Sequence, residues 1–183
     1  VARRLMYWQV YLHKTVLCAE QMLQQIIKRA KQIKAAAPMP LHKLINDPES
    51  KVTIDEFCGL DDYDVLTAIK MWSMHEDKVL STLCKGIINR QLLKVKYYAE
   101  PVDKNLIAEK TTEACIKLNI SKEEAAFFVF TGEAVSSTYN FDDEHIYILF
   151  KDGSVKDISE VDNALINQNM MGKVKKYYIC YLR

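Results

Sequence analysis

The sequence predicts a mainly α amino-terminal part followed by a smaller α+β lobe with an antiparallel or mixed sheet. Three observations carry that expectation. Apolar residues recur at helical spacing through most of the first half, and the pattern is punctuated by prolines at 38, 40 and 48. After Pro101 the character shifts towards short alternating segments. Within them, Lys151-Asp152-Gly153-Ser154 joins two β-rich runs, a hairpin signal with an Asp-Gly turn. A chain of 183 residues suits one domain or two small ones, and the change of character divides it into 1–98 and 99–183.

The first helical pattern runs from about Ala2 to Ala36 and stops before Pro38, since a residue preceding proline is pushed out of the helical region. At a rise of ~1.5 Å per residue it would be about 50 Å long. Its apolar seam reads Leu5, Trp8, Leu12, Val16, Ala19, Leu23, Ile26, Ala30 and Ile33. The proline-rich loop leaves room for a short helix near Leu41 to Asn46. Thr53 followed by Glu56 is a capping box. Asp61 or Asp62 can cap a helix reaching about Met74, with Tyr63, Leu66, Ile69 and Trp72 expected in its core-facing rows. The next helix spans about Glu76 to Asn89, with Val79, Leu80, Leu83, Ile87 and Ile88 inward. Leu92 to Tyr98 changes period and reads as an extended segment or helix exit. An amphipathic helix from Asp103 to Leu118 follows, with Leu106, Ile107, Ala114, Cys115 and Leu118 inward. A strand at Phe127 to Thr131, bounded by Gly132, is next. The hairpin strands His145 to Phe150 and Val155 to Ile158, a helix near Ser159 to Asn167 and a strand near Val174 to Leu182 complete the order.

Composition excludes several classes. Hydrophobic content of 49% and charged content of 27% are ordinary for a globular chain, and a net charge of +1 gives no bulk case for nucleic acid or membrane. An anion site would have to be built locally. Five cysteines (18, 58, 84, 115 and 180) without a CxxC pair point to reduced thiols and a cytoplasmic setting. Cys18 and Cys115, inside helical patterns, read as small buried residues. The start at Val1, already inside a helical pattern, reads as that of a fragment or a truncated chain. None of the four histidines stands in an HExxH or His/Cys metal-binding pair, and His75-Glu76-Asp77 reads as the start of a helix. There is no phosphate-binding glycine loop and no Ser/His/Asp or Cys/His nucleophile pattern.

Two basic elements remain. On a helix, Arg3, Tyr7, Tyr11 and Lys14 fall within an arc of about 80°, opposite the apolar seam. Cations and phenols on one face suit an anion with a flat part, such as a nucleotide, although a solvated face edged by tyrosines has the same look. His13 lies roughly 80° to 160° from Arg3, Tyr7 and Tyr11 on another flank, so one helix could serve two sites. Arg90 and Lys94, at i and i+4 around a Leu pair, read first as a basic helix C-terminus answering the helix dipole.

Tyr11-Leu12-His13-Lys14 preceded by Arg3, then Leu60-Asp61-Asp62-Tyr63, then Arg90-Gln91-Leu92-Leu93-Lys94 occur in the order and spacing of a known group. Over roughly Val1 to Tyr98 the chain resembles the HD-domain phosphohydrolases, in particular the deoxynucleoside triphosphate triphosphohydrolase (dGTPase-like) branch. The resemblance implies that 1–98 is the C-terminal helical portion of an HD domain. It implies that Arg3 contacts a substrate triphosphate, for which a planar guanidinium fork is suited. It implies that Tyr11 packs on the deoxyribose, with Tyr7 one turn away where some relatives carry histidine. Residues matching His13, Lys14, Arg90 and Lys94 surround activator nucleotides at subunit interfaces in regulated members, which implies a second nucleotide site and a homo-oligomer. The divalent metal of that family is held by an upstream His, a His-Asp pair and a further Asp. None of these motifs is in this sequence, so the chain alone is expected not to hydrolyse nucleotides, and no residue here is assigned as catalytic or as a metal ligand.

A competing expectation is a non-enzymatic helical dimerisation module built on the long apolar seam. A nucleic-acid binder is disfavoured by the near-neutral charge, and no apolar run is long enough for a membrane span.

Overall fold

The computed structural model describes residues 6, 9–10, 12–47, 52–136, 146–157, 160–161 and 174–183. Among these, helices α1 (Lys14–Gln32), α2 (Leu41–Asn46), α3 (Ile54–Cys58), α4 (Asp62–Trp72) and α5 (Lys78–Ile88) precede strand β1 (Lys94–Tyr98). Helices α6 (Lys104–Leu118) and α7 (Lys122–Ala125) follow, then strands β2 (Phe130–Ser136), β3 (Tyr147–Leu149), β4 (Val155–Asp157) and β5 (Val174–Tyr181). The chain is therefore mainly α, then α+β with antiparallel sheets, as its sequence predicts.

The expected continuous helix from Ala2 to Ala36 is broken at Leu12–His13. His13 is extended (φ −64°, ψ 136°) and its Nδ1 accepts from the Thr15 amide at 3.3 Å, capping α1. Ahead of it Gln9 and Val10 form a wide π-type turn, and the His13 amide reaches back only to the Val10 carbonyl at 3.3 Å. The hydrogen-bond ladder is out of step there, and the imidazole satisfies a donor that the break frees.

The inward row of α1 is Cys18, Met22, Ile26 and Ala30, with Leu17 beside it. The seam predicted through Val16 and Leu23 is wrong, since both are exposed. The i+4 row wins because it meets α5 and β1. Gly86 of α5 makes that approach possible: a Cβ there would stand 2.9 Å from Met22 Cε and 3.1 Å from the Gln91 carbonyl. With its seam interrupted and its inward row buried in the chain's own core, α1 no longer supplies the continuous surface on which the dimerisation reading stood.

Local signals in the next helices hold. The Thr53/Glu56 capping box starts α3, and Asp61 caps α4 with Asp64 completing a second box. The Trp72 indole then donates to the Ala36 carbonyl at 2.6 Å, tying α4 to the exit of α1. Facing is less well predicted. Ala68, Ile69 and Trp72 turn inward, whereas Tyr63 is 77% and Leu66 47% exposed, and Ile88 of α5 is exposed too. The small Ala68 lets α4 lie close to its neighbours, and that sets its rotation.

The main sheet has the order β1-β5-β2, with both pairings antiparallel. Lys94 pairs with Tyr181, Val95 with Cys180, and Phe130 with Cys180 on the other side. The strand predicted at Phe127 to Thr131 begins at Phe130 instead. Phe127, Phe128 and Val129 lie buried in the turn after α7, a helix not expected from the apolar periodicity although Ser121 and Glu124 cap it with a box. Gly132 lies inside β2 rather than bounding it, opposite Tyr178, where a Cβ would stand 2.3 Å from the phenol oxygen. The β3–β4 hairpin forms as predicted, with Gly153 at φ +82°. Of the helix expected near Ser159 to Asn167 only residues 160–161 are described. No helix among the described residues is long and apolar enough to cross a membrane.

Candidate functional site

The break at His13 and the β1–β5 register together build a small basic cavity. Lys14 opens α1. Arg90 stands two residues beyond the end of α5, Lys94 begins β1, and Arg183 follows β5. Their residues line one cavity of about 210 Å³, with Thr15, Cys18, Leu92, Leu93 and Val95. The expected i, i+4 helical pairing of Arg90 and Lys94 is not how they meet. Helix α5 ends at Ile88, Arg90 turns into the left-handed region (φ +55°), and the Gln91 amide closes on the Gly86 carbonyl at 2.8 Å. Such a conformation costs a non-glycine residue roughly 1 kcal/mol.

The charges in this cavity differ from those elsewhere. Among the described residues no carboxylate pairs with Lys14, Arg90 or Lys94, while Arg29, Lys43, Lys110 and Lys175 all have acidic partners. Glu113 stands beside Lys94 and Arg183 in an adjoining groove, but Lys110 holds its carboxylate at 2.7 Å. Lys117 donates to the Arg183 carbonyl, which fixes the end of that strand. Like charges brought together without counter-charge repel, and a polyanion relieves that repulsion.

The structure thus brings Lys14, Arg90 and Lys94 together. His13, the fourth residue of the expected second site, is exposed beside the cavity with Nδ1 committed to the cap of α1. The expected substrate contacts Arg3, Tyr7 and Tyr11 lie outside the described residues. Arg183 and Cys18 do not stand out in the sequence as site residues. Cys18 follows Lys14 by one helical turn, a signal that could have found it. Arg183 was not discoverable, because only the strand register brings it to Lys94.

Cys18 is buried, and its Sγ donates to the Leu93 carbonyl at 3.1 Å. The Cys180 thiol beside it draws the Cys18 thiol below its usual range despite burial, and the Arg183 charge acts in the same direction. Cys18, with burial, pushes the Cys180 thiol up. His75-Glu76-Asp77 is helix-start chemistry, as expected: Asp77 accepts from the Leu80 amide at 2.8 Å, and His75 Nδ1 accepts from the Asp77 amide at 2.9 Å. Among the described residues no group of three or more His, Cys, Asp or Glu could hold a metal ion.

This fold recurs as part of a solved phosphohydrolase. The chain is similar to the crystal structure of a phosphohydrolase from Bacteroides thetaiotaomicron VPI-5482, with a TM-score of 0.85 and 41% identity, over 100% of this chain and 48% of that one. It is also 28% identical over 189 residues to the uncharacterized protein YwfO of Bacillus subtilis (strain 168), covering 94% of this chain and 41% of that protein. The chain therefore spans about half or less of the length of each. No family model matches it.

Proposed function

We propose that this chain is part of a metal-dependent HD-family phosphohydrolase acting on (deoxy)nucleoside triphosphates, and that it supplies nucleotide contacts rather than the metal centre. The observation that carries the reading is the likeness to a phosphohydrolase over the whole chain at 41% identity, joined to the Arg3…Tyr11-Leu12-His13-Lys14 and Arg90…Lys94 motifs. In this reading Arg3 grips the substrate triphosphate, Tyr11 lies against the deoxyribose, and Tyr7 lines the same wall. Lys14, Arg90 and Lys94, with His13 beside them, form a second nucleotide site. Arg90 offers a planar fork to a phosphate, and the lysines offer point charges.

The divalent ion implied by this reading does not fit the described residues, which contain no candidate ligand cluster. Its ligands would belong to a part of the protein outside this chain. The parent protein would act as a homo-oligomer in the cytoplasm.

The test is dNTP turnover and binding by the longest form of the protein that can be expressed, compared with Arg3→Ala and Tyr11→Ala. A loss of turnover of about 100-fold is expected for Arg3→Ala, the scale of removing a charged hydrogen-bond clamp from a phosphate. Unchanged affinity and turnover in both variants would defeat the assignment. The isolated 183-residue chain should show no metal-dependent nucleotide hydrolysis.

A further inference from the structure

A fourth cation completes the basic cavity, and the groups missing from its lining define what it can read. Arg183 comes from the far end of the chain. Lys94 pairs with Tyr181 in the antiparallel β1–β5 ladder, so the chain leaving β5 passes the start of β1 and brings Arg183 beside Lys94. Lys117 of α6 donates to the Arg183 carbonyl and holds that end in place. Glu113 stands in the adjoining groove with its carboxylate engaged by Lys110 at 2.7 Å, and among the described residues no acid lines the cavity itself.

The remaining described lining is Thr15, Cys18 and aliphatic side chains. Proteins recognise nucleobases by stacking them on aromatic rings and by meeting their edges with carboxamides or carboxylates. The described lining holds none of these groups. An arginine can also read a guanine edge. Arg90 and Arg183, however, stand with two lysines in a positive field without counter-charge, where a phosphate is strongly preferred to a neutral base. Size points the same way. The cavity holds about 210 Å³, whereas pockets that enclose a whole drug-sized ligand begin at about 300 Å³. Space of this size suits a phosphate chain and leaves a nucleoside outside.

We propose that the cavity is a triphosphate site blind to the base, with Arg183 as a fourth phosphate contact beside Lys14, Arg90 and Lys94. The proposal rests on the reading of this cavity as a second nucleotide site and narrows it. Free inorganic triphosphate and the triphosphate tail of any nucleotide are then equivalent ligands. Arg183 and Arg90 each offer a planar donor fork, and the two lysines add point charges between them.

The experiment is calorimetry on the 183-residue chain with inorganic triphosphate, dATP, dGTP, dCTP and dTTP in turn. All five should bind within about threefold of one another, a spread of less than 1 kcal/mol. Arg183→Gln should weaken every one of them about tenfold, the scale of one charged hydrogen bond. Lys43→Ala removes a cation already paired with Glu56 and should leave all five unchanged. One nucleotide binding about tenfold or more tightly than inorganic triphosphate would overturn the base-blind site while leaving a second nucleotide site standing. No binding by any of the five would remove both. Unchanged affinity in Arg183→Gln, or the same loss in Lys43→Ala, would strike Arg183 from the site.

Discussion

Two clusters of cationic side chains in this molecule are built on opposite principles. At the junction of α1, α5 and α7, Arg29 is closed in by the chain's own acids: Asp77 at 2.6 Å and Glu124 at 3.2 Å, with the guanidinium 5.4 Å from the centre of the Phe127 ring. At the basic cavity, Lys14, Arg90 and Lys94 converge with no acid paired to them among the described residues. A charge balanced inside the fold holds elements together. Charges collected without balance repel one another, and part of the chain's stability is given up at Arg90, whose φ is +55°; under the proposed function an anion from outside would balance them.

The sharpest way to break this contrast is Arg29→Ala. The Arg29 and Asp77 side chains are only 11% and 16% exposed, so the change leaves Asp77 buried without its cation. The destabilisation should be about 3 kcal/mol, seen as a lower urea midpoint at an unchanged slope. An unchanged midpoint would mean that the cluster is not structural.

A pH series tests the same pair. Burial pushes the Asp77 carboxyl up, but the Arg29 hydrogen bonds, the Leu80 amide and the charges of Arg29 and His75 more than offset it and hold it below the usual range. Because the folded value is depressed, the unfolded chain binds this proton first. The stabilisation is therefore complete above the ordinary carboxylate range, about pH 4, and is lost as pH falls through the folded value. Urea midpoints at pH 7 and pH 3 should differ more for the natural chain than for Arg29→Ala. Equal differences would remove Asp77 from the account.

Arg90→Gly probes the other cluster and should have two effects of opposite sign. Affinity for inorganic triphosphate, measured by calorimetry, should fall about tenfold, the scale of one charged hydrogen bond to a phosphate. Stability should hold or rise by up to about 1 kcal/mol, since glycine accepts φ +55° without strain. Reduced stability with unchanged binding would make Arg90 an ordinary structural residue. The smallest effect is expected from Lys43→Ala, which removes the partly exposed pair with Glu56 at 2.6 Å. Its urea midpoint should stay within the scatter of repeats, as for most exposed ion pairs.

The legible part of the site was its set of cations, not its shape. Lys14, Arg90 and Lys94 could be named from motif order, but the geometry expected of them assumed helices on both sides. A π-type turn and an extended His13 end one of those helices, and α5 stops before Arg90. Arg183 had no sequence signal at all. In the fold, the Thr53/Glu56 capping box, the cap at Asp61, the helix start at His75-Glu76-Asp77 and the Asp-Gly hairpin were legible from residues within about a turn of one another. The faces expected for Val16, Leu23, Tyr63, Leu66 and Ile88 were not.

By itself, then, the sequence determined where most helices and strands begin, because a cap or a tight turn satisfies its hydrogen bonds among residues three or four apart. It also named three of the four cations that line the cavity, Lys14, Arg90 and Lys94. Only the tertiary structure decided which helix faces are buried, since that depends on the neighbour presented to them: Gly86 beneath Met22, the closely packed Ala68, and Tyr178 over Gly132. It decided the cavity for the same reason. The Lys94–Tyr181 register and the left-handed turn at Arg90 carry four distant charges to one place, and no local rule brings them there.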